Sequence, residues 1–457
     1  MYIPGNGFNF AGKTVIKYFT FAGEFREHKT NKMAASREKA SKALHILNAV
    51  HDLNTLAEQI RNKGENTPGH DGFPTEEMAS TEGQQKRLDL LQKASGQNFP
   101  FLSGQEKLSD FKKLEGNIEN FIGMTQVPTG VMGPLLVIGS SAKGDYYVPL
   151  ATSEGALVAS YHRGAKATRL SGGITSVCLI EGVQRSPVFK FSNLGDIAGF
   201  LMWLYKQHDV FEKIVSETSR FARLDELRSN IEGNQLILTF EYHTGDAAGQ
   251  NMVTICTDAI CQYIIANSPV KPVLWFIESN YSGDKKATAL SFTTVRGKKV
   301  TAECILPRII VEKVLKTTPE KMNDYWEAST MGVIQSGAIG AQGHVANGLA
   351  ALFLATGQDV ACISEAAVGI TRMQLTEKGD LYTSVTLPNL IVGTVGGGTG
   401  LPTQRECLAL MDCVGTGTSR RFAEICGALA LAGEISIAAA LSAGHFAGAH
   451  KKFGRKK

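Results

Sequence analysis

The apolar positions of this chain change period several times. Between residues 37 and 62, Leu44, Leu47, Val50, Leu53, Leu56 and Ile60 recur at helical spacing and predict an amphipathic helix. Asn62 to Gln85 is polar and rich in Gly, Pro and charge, so it reads as a loop or linker, followed by a short helix around Lys86 to Ala94. From Glu119 to Gly139, Gly and Pro turns separate short apolar runs, and LVASYHRGAKATRL then reads as helix. Residues 187–191, 220–230, 234–242 and 272–278 read as strands, with helices over 194–217 and 247–266. The alternation of Leu236, Leu238, Phe240 and Tyr242 marks one of these strands clearly. Their βαββαβ order is that of a split-βαβ, ferredoxin-like unit. ALSF, VTAECILP and the first part of 380–400 read as further strands, 310–316 as a helix, and 419–445 as a long apolar helix.

One stretch stands apart. Ala328 to Gln358 holds no Asp, Glu, Lys or Arg and is long enough to span a bilayer. Gln335, Gln342, His344 and Asn347 interrupt it, and lipid offers such side chains no hydrogen-bond partners. The stretch therefore predicts a helix buried in protein. Gly337, Gly340 and Gly343 would let another backbone approach one of its faces, and its polar groups would point toward a site.

Composition narrows the class. At 457 residues the chain supports two or three domains, and 43% hydrophobic with 20% charged residues is ordinary for a globular protein. A net charge of +4 gives no reason to expect nucleic acid. Eight cysteines without a CxxC pair point to a reduced setting and no zinc. The N-terminus lacks the pattern of a signal peptide, so a cytoplasmic protein is expected. Glycine is frequent at 48 residues, as tight turns and phosphate-bearing ligands require.

Several residues could carry chemistry. Glu154, among small and apolar residues, reads either as a carboxyl with a raised pKa that donates protons or as an ordinary helix-start acid capped by Thr152 or Ser153. Asp284, Lys285 and Lys286 form either an oxyanion-stabilising group or a solvated turn. Asp359 ends the uncharged run where the helix dipole disfavours it, which calls for a partner such as a lysine. His445 and His450 are five apart, which is not metal spacing, and either could protonate a leaving group. GDAAGQNM (Gly245 to Met252) and GTVGGGTG (Gly393 to Gly400) could each meet a pyrophosphate, yet neither is GxGxxG, which disfavours a Rossmann domain. The Ser219–Arg220 pair could grip a phosphate monoester.

Taken in order, ENFIGMTQVPTGVMGPL, ATSEGALVAS, GDAAGQNM, NYSGDKK, GQDVA, GTVGGGTGLP and AGHFAGAH resemble the catalytic portion of 3-hydroxy-3-methylglutaryl-coenzyme A (HMG-CoA) reductases, closer to the class I branch and without its membrane anchor. The resemblance spans Glu119 to His450 and implies an α+β fold. A large, mainly helical domain with buried long helices (115–186 and 278–457) would carry a small inserted ferredoxin-like cofactor domain (187–277), after an N-terminal helical arm (1–114). It implies NADPH-dependent reduction of HMG-CoA to mevalonate and coenzyme A by two hydride transfers, with mevaldyl-CoA and mevaldehyde as bound intermediates. NAD-dependent oxidation of mevalonate on the same fold is the alternative, and Arg220 argues against it. A non-catalytic coenzyme A or nucleotide binder would be a different class, disfavoured by the presence of all four catalytic positions.

The family's catalytic residues fall on Glu154, Lys285, Asp359 and His450. Lys285 would stabilise the oxyanion, Glu154 supply protons, Asp359 orient the pair, and His450 protonate the departing thiolate. By the same resemblance Arg185, Asp284, Lys286 and Asn347 would hold the hydroxymethylglutaryl end, and Ser160, Arg163, Lys316 and His344 would contact coenzyme A. Asp246, Gly249, Asn251, Met252, Gly396 and Gly397 would line the dinucleotide, with Ser219 and Arg220 on its 2′-phosphate. No metal and no membrane are implied, and the family's dimers or tetramers place sites at subunit interfaces. Glu278, Ala328 and Ala449 depart from the class I animal pattern, and the regulatory serine of animal members has no counterpart.

Overall fold

The computed structural model describes residues 35–65, 74 and 80–445. Its centre is one ten-stranded sheet that runs through two separate apolar cores. Strand Ile174–Arg185 belongs to both. It pairs antiparallel with Gly297–Leu306 from Thr175 to Gly182, and with Gln235–His243 from Val183 to Arg185. On the first side lie strands Thr129–Gly139, Lys143–Ala151, Ile370–Leu375 and Leu381–Leu390. On the second lie Val188–Lys190, Arg223–Glu232 and Leu274–Phe276, in the spatial order Leu274–Phe276, Val188–Lys190, Gln235–His243, Arg223–Glu232, all antiparallel.

Alternation explains how one sheet serves two layers. Val137 and Cys178 face the main core, while their neighbours Ile138 and Val177 face the opposite way, toward Leu53 and Ala57 of the N-terminal helices. The main core is organised by helix Ser419–Ser442, packed against helices Leu157–Leu170 and Val345–Thr356 and against the sheet. This 24-residue helix has the length and apolarity of a membrane span, yet 83% of its most apolar window is buried in protein. Two of its residues are buried carboxylates that fasten loops. Glu424 accepts from the backbone N–H groups of Ser141 (2.8 Å) and Ala142 (2.7 Å), and Glu434 from those of Gly343 (2.6 Å) and His344 (2.7 Å). Such charge-assisted bonds are about twice as strong as neutral ones, which is how the helix tolerates acids in its core. All eight cysteines are buried, and none is in a disulfide.

Several sequence expectations change. The uncharged run is not one buried helix. It ends helix Pro319–Ser336, turns at Gly337 (φ 70°) and Gly340 (φ 96°), and resumes as Val345–Thr356. Only the second part is core; Met331 and Ile334 of the first are exposed. The single helix expected at 37–62 is two, Ala35–Asn48 and Val50–Glu65, and residues 62–65 and 81–85, read as linker, are helical. The helix expected over 194–217 divides into Leu194–Leu204 and His208–Thr218, where the Gln207 side chain takes up the Trp203 carbonyl (3.4 Å) and the Tyr263 hydroxyl (2.9 Å). ALSF is a 3₁₀ turn, because Thr293 and Thr294 bond back to the Leu290 carbonyl instead of joining a ladder. The Gly–Pro turns of 129–139 lie inside a strand whose register shifts between Met132 and Leu135, which is where a strand accommodates Gly and Pro.

Candidate active site

The Asp284–Lys286 turn is fixed from behind. Lys285 adopts φ 56°, and its N–H donates to Glu365 (3.0 Å), a carboxylate with no solvent exposure. Glu365 accepts from Nε of Arg296 (2.7 Å), itself 1% exposed. The Arg296 guanidinium also reaches Asp284 (2.6 Å), the side chain of Gln250 (2.7 Å) and the Gln184 carbonyl (2.9 Å). The other Asp284 oxygen takes Arg185 (3.1 Å), and Arg185 also bonds Glu278 (2.9 Å). Burial pushes the Glu365 carboxyl upward even with Arg296 beside it. Asp284 is thus engaged by two guanidiniums, and Lys286 donates to the Asp284 carbonyl (2.8 Å).

Out of this frame the Lys285 ammonium meets Asp359 at 3.0 Å. The Asp359 bond raises the lysine pKa, so the lysine is a cation throughout the neutral range. Both groups are over 40% exposed. A pair this open contributes only about 0–1 kcal/mol to stability, so its geometry depends on the Arg296–Glu365 frame behind it. Asp359 also caps the short turn Val360–Cys362 by accepting from Ala361 (3.0 Å).

The two glycine motifs meet beside this pair. Ala247 bridges Val395, and the Thr394 N–H donates to the Asp246 carbonyl (2.8 Å). Gln358, next to Asp359, makes a two-way bond with the Gly393 backbone (2.9 Å each way). Gly357 (φ 70°) lies so close to Gly398 that a Cβ there would sit 2.2 Å from its carbonyl oxygen. Gly249 (φ 82°) caps helix Gln250–Asn267, with Asn251 exposed and Met252 packed on the smaller core. Gly396 and Gly397 have positive φ and face open space, a cradle that side chains would fill. Burial would raise the Asp246 pKa, but the N–H groups of Gly417 (2.8 Å) and Ser419 (3.1 Å) outweigh it and hold the carboxyl below its ordinary value. Asp246 therefore fastens the start of helix Ser419–Ser442. Ser219 accepts from Ala222 (3.2 Å), and the exposed Arg220 lies over Phe221. Because Arg223 pairs with His243, this turn and the 244–249 loop leave the sheet at neighbouring strand ends.

Glu154 lies elsewhere in the chain. It is exposed, in the loop before helix Leu157–Leu170, and receives both bonds from Asn347 (3.3 and 3.2 Å). It is neither buried nor a helix-start acid: the helix begins three residues later, capped by Ala156 without a side-chain bond. Asn347 is at the start of Val345–Thr356 and Asp359 is just beyond its end. The nine residue steps from Asn347 to Thr356 rise roughly 14 Å, so Glu154 and the Lys285–Asp359 pair occupy opposite ends of this helix. The resemblance implies that Glu154, Lys285 and Asp359 act on one substrate; within a single chain Glu154 stands apart from the other two. Near the Glu154 end, Ser160 and Arg163 converge on Ser436, the Arg163 guanidinium reaching its carbonyl (2.6 Å). His344 bonds the Tyr161 hydroxyl (2.9 Å), and burial lowers its pKa. Lys316 is exposed, beside Thr317, which bonds Ser442 (3.0 Å). His450 lies outside the described residues.

Residues 83–455 match the family model of hydroxymethylglutaryl-coenzyme A reductase. The chain belongs to this family. It is 44% identical over 346 residues to the reductase of Pyrococcus abyssi, covering 74% of this chain and 85% of that one. It is 38% identical over 376 residues to that of Methanocaldococcus jannaschii, covering 81% and 92%. A class II HMG-CoA reductase from Streptococcus pneumoniae, described as bound to NADPH in open conformations, shares the fold at a TM-score of 0.65 and 20% identity, over 82% of this chain and all of that one. Members of the family are oxidoreductases. Four residues that frame the site escaped sequence reading: Gln250, Arg296, Gln358 and Glu365. Glu365 had a readable signal, a single acid in the apolar stretch CISEAAVG; Arg296 sits among other basic residues and had none.

Proposed function

We propose that the chain reduces HMG-CoA to mevalonate and free coenzyme A, oxidising two NADPH in two hydride transfers. The carrying observation is the Lys285–Asp359 pair, held through Gln358 against the joined glycine loops. When bound, NADPH supplies the hydride; the chain's residues bind, orient and move protons. A lysine that stays cationic suits the oxygen that gains charge as the thioester, then the aldehyde, is reduced. Asp359 aims it. Glu154 is the proton donor to that oxygen, Asn347 orienting it, and His450 protonates the thiolate of coenzyme A. Arg185 and Lys286 receive the hydroxymethylglutaryl end, with Asp284 acting through its two arginines. Ser160, Arg163, Lys316 and His344 form the coenzyme A side.

Residues 187–277 are the ferredoxin-like cofactor domain in this reading, set between the two parts of the large domain (115–186 and 278–457). Arg220, exposed at a strand end, favours the 2′-phosphate of NADPH over NADH. Because Glu154 and Lys285 lie at opposite ends of one helix, the working unit is a homodimer, each site taking Glu154 and Asn347 from one chain and Lys285 and Asp359 from the other. The protein acts in the cytoplasm. Purified protein given HMG-CoA should oxidise two NADPH per mevalonate, with NADH much slower and Glu154→Gln nearly inactive. No cofactor oxidation, or full activity in Glu154→Gln, would overturn the reading.

A further inference from the structure

The N-terminal helices precede residue 83, where the family match begins, yet they make one deeply placed ionic contact. Lys39 of helix Ala35–Asn48 reaches three carboxylates on the part of the sheet beyond Gly182 (the smaller sheet, the rest being the larger): Asp225 (3.5 Å), Glu226 (3.2 Å) and Glu241. Glu241 is 1% exposed and also receives Gln184 (3.2 Å) and Arg228 (3.3 Å). It sits where the shared strand changes partners. A Cβ on Gly182 would lie 2.4 Å from the Glu241 carboxylate, and Gly182 is the last residue paired with the larger sheet. Meanwhile Ile46, Leu53, Leu56 and Ala57 pack on Ile138, Val177 and Leu179 of the larger sheet. The arm therefore holds one side of the junction by apolar contact and the other by charge. Burial would lower the Lys39 pKa, but Glu241, Glu226 and Asp225 outweigh it, so the lysine is charged.

We propose that Lys39 is a positioning residue for the reductase reaction: it braces the smaller sheet against the larger across the Gly182 junction, and so sets where the dinucleotide stands relative to Lys285. The strands carrying its three partners, Arg223–Glu232 and Gln235–His243, lead directly to the Ser219–Arg220 turn and the 244–249 loop. Without Lys39, Arg228 is left to balance Glu241 and Glu226, and the cation that ties the three carboxylates to the N-terminal arm is lost. Hydride transfer requires reacting atoms about 3–3.5 Å apart, and an error of about 1 Å costs on the order of 100-fold. This inference rests on residues 187–277 being the cofactor domain.

The test is steady-state kinetics of Lys39→Ala and Lys39→Arg in the full chain. Lys39→Ala should raise KM for NADPH or lower kcat roughly tenfold, leave the dissociation constant of HMG-CoA in the absence of cofactor within about twofold, and Lys39→Arg should restore most of the loss. Unchanged kinetics with only a lower Tm, equal weakening of both substrates, or equal damage in Lys39→Arg would each overturn the proposal. If Lys39→Ala fails to fold, the Asp225→Asn/Glu226→Gln double variant decides on the same readouts. Should the wild-type chain not turn over HMG-CoA at all, the functional reading falls. The brace is then judged alone, by whether hydrogen exchange of the Arg223–His243 amides quickens in Lys39→Ala or stays unchanged.

Discussion

The two ends of helix Val345–Thr356 are built differently. At its far end Lys285 and Asp359 stand on a buried frame in which every charge has a partner: Glu365 on Arg296, Arg296 on Asp284, Asp284 on Arg185. At its near end Glu154 is exposed, with Asn347 at 3.2 Å as its partner. The first end is preorganised within one chain. The second has the openness of half a site. In the proposed reaction, the charge that must stay in place is fixed by desolvated neighbours, whereas the group proposed to donate the proton is left accessible to substrate.

The sharpest way to break this contrast is complementation. Lys285→Ala and Glu154→Gln should each lose on the order of 100-fold or more in kcat. Mixing and re-pairing the two inactive chains should recover about a quarter of wild-type activity, since half the dimers are mixed and each of those rebuilds one of two sites. No recovery, with mixed dimers demonstrated, would place both groups in one chain. The next largest effect is on stability. Glu365→Ala leaves the Arg296 Nε and the Lys285 N–H without their buried acceptor, while Asp284 still pairs the guanidinium, and should cost about 1–3 kcal/mol. Glu154→Gln should stay within about 0.5 kcal/mol, and paired denaturant titrations read both. Gly357→Ala forces a side chain onto the Gly398 carbonyl at positive φ, and should cost about 1–3 kcal/mol together with cofactor affinity.

Smaller effects come from pH. The Asp246 carboxyl has a lowered folded pKa, so its contribution is complete above the unfolded value of 3.8 and is lost as pH falls through the folded one. Asp246→Asn should remove about 1 kcal/mol at neutral pH and flatten the acid limb of a stability profile. Lys285 has the opposite sign. Its raised pKa keeps the charge until pH climbs past the folded value, so Asp359→Asn should move the alkaline limb of kcat to lower pH.

Sequence reached the two ends unequally, for physical reasons. The four strands from Val188 to Phe276 and the helices between them were legible, save that one expected helix is two, because period-two alternation and helical spacing are local signals. Strands Thr129–Gly139 and Ile370–Leu375 were not, because Gly and Pro masked one and the other is a short edge strand. Asp359 announced its need for a cation, since a carboxylate at a helix C-terminus is misplaced locally. Arg296 announced nothing: its four partners come from residues 184, 250, 284 and 365, and only folding assembles them. The separation of Glu154 from Lys285 was equally hidden, because motif order along a chain carries no distance.

The eight buried thiols have a practical consequence. Burial pushes the Cys178 and Cys407 thiols up to about 12, and raises Cys256, Cys261, Cys362, Cys413 and Cys426 as well. Thiolates are the reactive form, so in the folded chain alkylation should be slow everywhere. Each cysteine then becomes an internal clock. Cys362 and Cys426 lie in the larger core, and Cys256 and Cys261 in the smaller. Labelling rates followed by peptide mapping would time the opening of each core separately, without adding a probe to the molecule.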